Sequence, residues 1–165
     1  MKVRNIATAG MVSDTSLYNI DGACVVGGSS PIAVGTAVRA SEAQPIDGHK
    51  VVIASGIVAY DPEAAGITGP LGVVVKSHYE TPDGTARAQE SVNVMTAGRI
   101  WMRAEDGVTA AEATFGRPVF INATGKAAAN GAGAFNSGWT YAGGYVQSGA
   151  NADGVILVEV QVKQK

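Results

Sequence analysis

The chain has 165 residues, enough for one domain, and a domain of this size buries roughly two thirds of its unfolded surface without help from disulfides or metal. Only 16% of residues are charged and 22 are glycine, against about 25% and about 7% in ordinary soluble proteins, so the exterior is poorly protected against association. A net charge of −2 with 12 scattered basic residues argues against duplex nucleic acid, which demands clustered Lys and Arg.

Residues 1–20 read as an N-terminal arm. Met1 to Ala9 has no continuous apolar core of the kind a secretory signal carries. No stretch approaches the roughly eighteen apolar residues that span a bilayer. The expectation is a soluble product made in the cytoplasm, with no membrane partner. Gly10 and Ser13-Asp14-Thr15-Ser16 break any strand pattern and leave Met11, Leu17, Tyr18 and Ile20 as isolated apolar residues. Such a segment suits an extended arm that orders against a neighbour, with an ordinary first edge strand as the alternative.

Residues 21–165 read as a single β-rich domain. Cys24, the lone cysteine, sits in Ala23-Cys24-Val25-Val26, as a buried small hydrophobe does. Short runs of Val, Ile and aromatic residues follow at 32–38, 51–54, 71–76, 91–95, 99–103, 118–122 and 139–147. The segment 155–162 is the clearest of all. Ile156, Val158, Val160 and Val162 alternate with Glu159 and Gln161, the period of two expected of a half-buried strand.

Turn signals punctuate these runs. Asp-Gly occurs at Asp21, Asp47, Asp83, Asp106 and Asp153, and Asn130-Gly131 adds another. The runs 91–95 and 99–103 are expected to form a hairpin, with Gly98 in the left-handed position of the loop Thr96-Ala97-Gly98. Ala127 to Ala134 reads as a flexible loop. The best helical candidate, 108–114, is too short to stand alone. The fold class is therefore all-β, an antiparallel sandwich or barrel with an extended N-terminal arm.

Catalytic chemistry finds little to build on. His49 follows the turn Asp47-Gly48 and His78 follows the strand run ending at Lys76, with no Gly-x-Ser-x-Gly elbow to accompany them. Cys24, His49 and His78 lie too far apart for a zinc spacing, and Asp61 and Glu63 lack a calcium-loop pattern. The expectation is no catalytic residue, no metal and no cofactor. One surface group is a candidate for binding. Arg99, Trp101 and Arg103 share a strand face opposite Ile100 and Met102, and Trp and Arg are enriched at interface hot spots. A tryptophan covering the domain's own edge is the alternative.

The segment Glu90-Ser-Val-Asn-Val-Met-Thr-Ala-Gly-Arg-Ile-Trp-Met102 resembles the most recognisable stretch of the structural cement, or head decoration, proteins of tailed bacteriophages. In that family a Val-x-Val strand is followed by a short Gly-containing turn and Ile-Trp-Val. Pro31-Ile-Ala-Val-Gly-Thr-Ala-Val38, Gly69-Pro-Leu-Gly-Val-Val-Val-Lys76 and Phe115-Gly-Arg-Pro-Val-Phe-Ile121 resemble further family strands, in the family's order. Gln89-Glu90-Ser91 and Arg117 depart from the usual Gly-Asp and Asp at two turns.

The resemblance implies a jelly-roll or tulip-like module on the outer surface of the virion. It implies a major capsid protein as partner, bridged between adjacent subunits, and self-association as a dimer or trimer at local symmetry axes. It also implies synthesis in the host bacterial cytoplasm and a stabilising role on the DNA-filled head. Met11, Leu17, Tyr18, Ile20, Arg99, Trp101 and Arg103 are the candidate capsid or oligomer contacts. A host-attachment or carbohydrate-binding sandwich displayed on the particle is the rival function.

Overall fold

The computed structural model describes residues 7–61, 63, 69–77, 81–131 and 133–163. His78 lies outside the described residues. The strands are β1 (Val12–Val26), β2 (Ile32–Ala33), β3 (Ala37–Ala40), β4 (Lys50–Ile53), β5 (Gly72–Val74), β6 (Thr85–Ala86), β7 (Ser91–Ala104), β8 (Pro118–Asn122), β9 (Ala127–Ala128), β10 (Ala134–Val146) and β11 (Ile156–Val162). Among the described residues the helical content is one short 3₁₀ turn, Ser148–Ala150. The fold is all-β, as the sequence implied.

All strands except the small β2–β6 pair join one nine-stranded sheet. Its pairings close twice, in the rings β1–β4–β3–β5–β7 and β7–β11–β10–β8–β9, with β7 common to both. Closure removes the open edges that invite aggregation. Most pairings are antiparallel; β1 with β4 and β7 with β9 run parallel.

Two apolar cores follow. Cys24, Val26, Val38, Val52, Val74, Val92 and Val94 form one, and Ile100, Met102, Val119, Ile121, Trp139, Val158 and Val160 belong to the other. The small β-branched side chains of the first and the Trp and Met of the second fill rings of unequal content. Each fully buried Val, Ile or Met contributes about 1.5–3 kcal/mol relative to exposure.

The shared strand must serve both cores, and it does so by changing phase. Before Thr96, Val92 and Val94 face the first core while Met95 faces the second. After Gly98, Ile100, Met102 and Ala104 face the second core and Trp101 packs on the first. A slip of one residue inverts every side chain of a strand, and the register between β1 and β7 is irregular here. Gly98 holds φ +124°, and a Cβ there would stand 2.7 Å from Tyr18 Cβ. Glycine is required on both counts.

That geometry corrects the expected hairpin at Thr96-Ala97-Gly98: the two runs are one continuous 14-residue strand. The glycine signal was real, but it marks a bulge rather than a reversal. Asp21-Gly22 is likewise inside β1, at another register shift, and not a turn. Ala127 and Ala128, read as loop, form β9 between β7 and β8. Asp47-Gly48 is the hairpin turn expected, with φ of 49° and 80° and Ile46 bridged to His49. The 108–114 stretch holds turns only.

No extended arm is shown among the described residues of the N-terminal segment. Residues 12–20 form the first part of β1, paired with β7 from Val12↔Ile100 to Ile20↔Met95. Ahead of them Ala7 and Ala9 are buried. Gly10 donates its N–H to Trp101 O at 2.8 Å, and Met11 O accepts from Trp101 N at 3.0 Å. Strand β7 leaves backbone groups that need partners, and this segment supplies them in spite of its polar side chains.

Candidate interaction surface

The seven candidate contact residues lie on β7 and on the 11–20 segment that runs beside it, and they divide by what already holds them. Arg103 is engaged within the chain. Its Nε donates to Val34 O at 2.8 Å, and its Nη2 lies 3.4 Å from Asp153 Oδ1, with the two side chains 13% and 16% exposed. Asp153 Oδ2 also accepts the Ala9 N–H at 2.9 Å. This cluster ties the N-terminal segment to the turn before β11. Trp101 lies partly buried over Gly144, where a Cβ would approach its ring to 2.4 Å. Ile20 packs on the second core, and Met11 is half-buried.

Leu17 and Tyr18 differ. Between the pairs Asp14↔Arg99 and Asn19↔Ala97, Thr15 to Tyr18 of β1 stand against Gly98 alone. The excess chain is pushed outward as a wide bulge. Leu17 is 86% exposed and Tyr18 50%, so two large apolar side chains stand in water.

The bulge is fixed at both ends by local chemistry. Asp14 Oδ1 accepts from Ser16 N at 2.9 Å and Ser16 Oγ at 2.6 Å, closing a small ring that suits Asp. Those bonds, with the nearby Arg99 charge, hold the Asp14 carboxyl below its ordinary pKa. At the other end Asn19 Nδ2 donates to the buried Thr96 hydroxyl at 2.8 Å. Arg99 stands beside the bulge, with Nε donating to Gln161 Oε1 at 3.0 Å and Nη1 3.8 Å from Asp14. The result is a preshaped apolar tip beside a half-exposed guanidinium. Ordering costs on association are correspondingly small. The sequence marked these residues, but not the bulge that lifts them from the sheet.

The remaining reactive side chains are placed as follows. Cys24 is 1% exposed, and burial pushes its thiol up to about 11. His49 is at an exposed turn end. Asp61 accepts the Glu63 N–H at 2.9 Å, a local turn. Among the described residues no three of His, Cys, Asp and Glu gather as a metal site would require.

Comparison with known proteins adds a family. A model described as structural cement protein (E217 gp24/Pam3 gp6) matches residues 2–161. No curated protein matches the chain. Among solved structures, a chain from the capsid of Myoviridae Phage XM1 is similar in fold, with a TM-score of 0.64 at 18% identity, covering 98% of this chain and 94% of that one.

Proposed function

The chain belongs to the phage structural cement protein family, and from that premise we propose that it binds the outer surface of the mature capsid and bridges major capsid protein subunits. In this reading it stabilises the DNA-filled head, and copies touch at local symmetry axes. The match over residues 2–161 carries the reading. The exposed bulge supports it, because a folded domain with Leu17 86% exposed gains by covering it. Leu17, Tyr18 and Arg99 are the proposed primary contacts. Met11, Ile20, Trp101 and Arg103 are proposed as the contact's underlying support.

A cement protein stabilises a shell only by preferring the assembled lattice, since equal binding to both states shifts nothing. At a hundred times its dissociation constant, each copy adds about 2.7 kcal/mol to the state it binds. A shell repeats that gain at every equivalent site. The test is titration of purified protein onto particles lacking it, followed by heating to DNA release. Saturable binding with a raised release temperature is expected. Binding with no change in release temperature would favour the display or attachment role, and absence of binding would end the proposal.

A further inference from the structure

A second site lies away from the bulge, where the 105–117 loop folds against β8, β9 and β10. A cavity of about 210 Å³ opens there, walled by Phe120, Ala128 and Ala129, with Tyr141, Arg117 and Glu112 also lining it. The loop is pinned on β10 by backbone bonds, Gly116 N to Tyr141 O at 2.9 Å and Tyr141 N to Arg117 O at 2.8 Å. The cavity is thus built by the fold.

Tyr141 is the unexpected member. The residue is 3% exposed, yet its hydroxyl makes no hydrogen bond with any described residue, whereas nearby Tyr145 donates to Val108 O at 3.2 Å. A tyrosine this buried ordinarily finds a partner. The hydroxyl is also absent from the sealed, unsatisfied atoms, of which Ser13 Oγ is the one among the described residues. It therefore remains reachable from the cavity it lines.

The neighbouring charges select the partner. A bare carboxylate would meet Glu112, whose charge is close enough to help burial push the Tyr141 phenol up to about 12. An ammonium group would meet Arg117. A neutral amide satisfies both, because its carbonyl accepts from Tyr141 or Arg117 while its N–H donates to Glu112. Glu112 Oε2 is already held by Thr109 N and Oγ1 at 2.9 and 3.0 Å, and Arg117 Nη1 by Ala111 O at 3.0 Å. That leaves Glu112 Oε1 and the other guanidinium N–H groups without a hydrogen-bond partner among the described residues, on two side chains that line the cavity.

We infer that the cavity seats one apolar side chain, with its flanking peptide group, from a segment of the capsid protein. This rests on the cement reading and adds a second anchor to it. Two separated contacts on one domain would let it clasp two subunits.

The test measures binding of wild type, Ala129→Trp and Tyr141→Phe to particles lacking the protein, with thermal melts of each variant alone. Filling the cavity with Ala129→Trp should weaken binding roughly 10- to 100-fold, the worth of one buried apolar side chain. Tyr141→Phe should weaken it about 2- to 10-fold, the worth of one hydrogen bond. Its melting temperature should hold, because the hydroxyl has no partner to lose. Wild-type affinity in Tyr141→Phe together with wild-type affinity in folded Ala129→Trp overturns the inference while leaving the cement reading intact. Should Ala129→Trp fail to fold, Tyr141→Phe with unchanged affinity overturns it alone. Failure of the wild type to bind defeats the cement reading itself.

Discussion

Asp153→Ala should destabilise the domain well beyond a surface substitution. The carboxylate accepts the Ala9 N–H at 2.9 Å and faces the Arg103 guanidinium at 3.4 Å, with its side chain only 16% exposed. A hydrogen bond to a charged group is worth about 1.5–3 kcal/mol. The substitution also leaves Arg103, 13% exposed, with the Val34 carbonyl but no countercharge, which adds to the loss. The sum is about 2–4 kcal/mol, or roughly 4–16 °C in Tm for a domain of this size. Asp153→Asn keeps an oxygen acceptor for Ala9 and should lose about half as much. In a double-mutant cycle with Arg103→Met the coupling should reach about 1–2 kcal/mol. Urea unfolding gives the energies, and amide exchange at Ala9 and Gly10 reports whether the N-terminal segment has come loose. A loss below about 0.5 kcal/mol with unchanged exchange would refute the claim that this cluster fastens the segment.

Gly98→Ala should cost about 2–4 kcal/mol, because it combines φ +124° with a Cβ 2.7 Å from Tyr18 Cβ; a stable variant with native β1 exchange would contradict the phase-change account. Leu17→Ser should leave the melting temperature unchanged, since Leu17 is 86% exposed, but weaken particle binding roughly 10- to 100-fold; equal binding would remove the bulge from the interface. Cys24 titrates near 9 when unfolded and at about 11 when folded, so above pH 9 the unfolded state sheds its proton first. Stability contributed by the neutral thiol is complete below pH 9 and falls by about 1.4 kcal/mol per pH unit up to pH 11. Urea titrations of wild type and Cys24→Ala across that window should differ by this slope, and parallel curves would show that the thiol is not protected.

The sequence disclosed the strands whose side chains alternate cleanly. The 118–122 run matches β8, and Ile156, Val158, Val160 and Val162 all face the second core. It concealed strands held by backbone need rather than by side-chain pattern. Residues 12–20 carry Asp14, Ser16 and Asn19, which read as arm, yet β7 requires their N–H and C=O groups. At Gly98 a positive φ was legible, but a hairpin and a bulge demand the same residue, and only the β1 and β11 pairings decide between them. The candidate surface was legible as residue types. Arg103 is tied inward by Asp153, which sits 50 residues further along the chain. Leu17 is thrust outward by excess chain set against Gly98, and neither partner is adjacent in sequence. The cavity beside Tyr141 left no sequence signal, because its walls come from three strands and a loop.

The most direct test of the central claim is an electron-microscopy map of the native particle, resolved well enough to place this domain. The account predicts copies on the outer face of the shell, each spanning a junction between capsid subunits with the Leu17 bulge against one of them. Density confined to the interior, to the tail, or to a single subunit with Leu17 in solvent would contradict it.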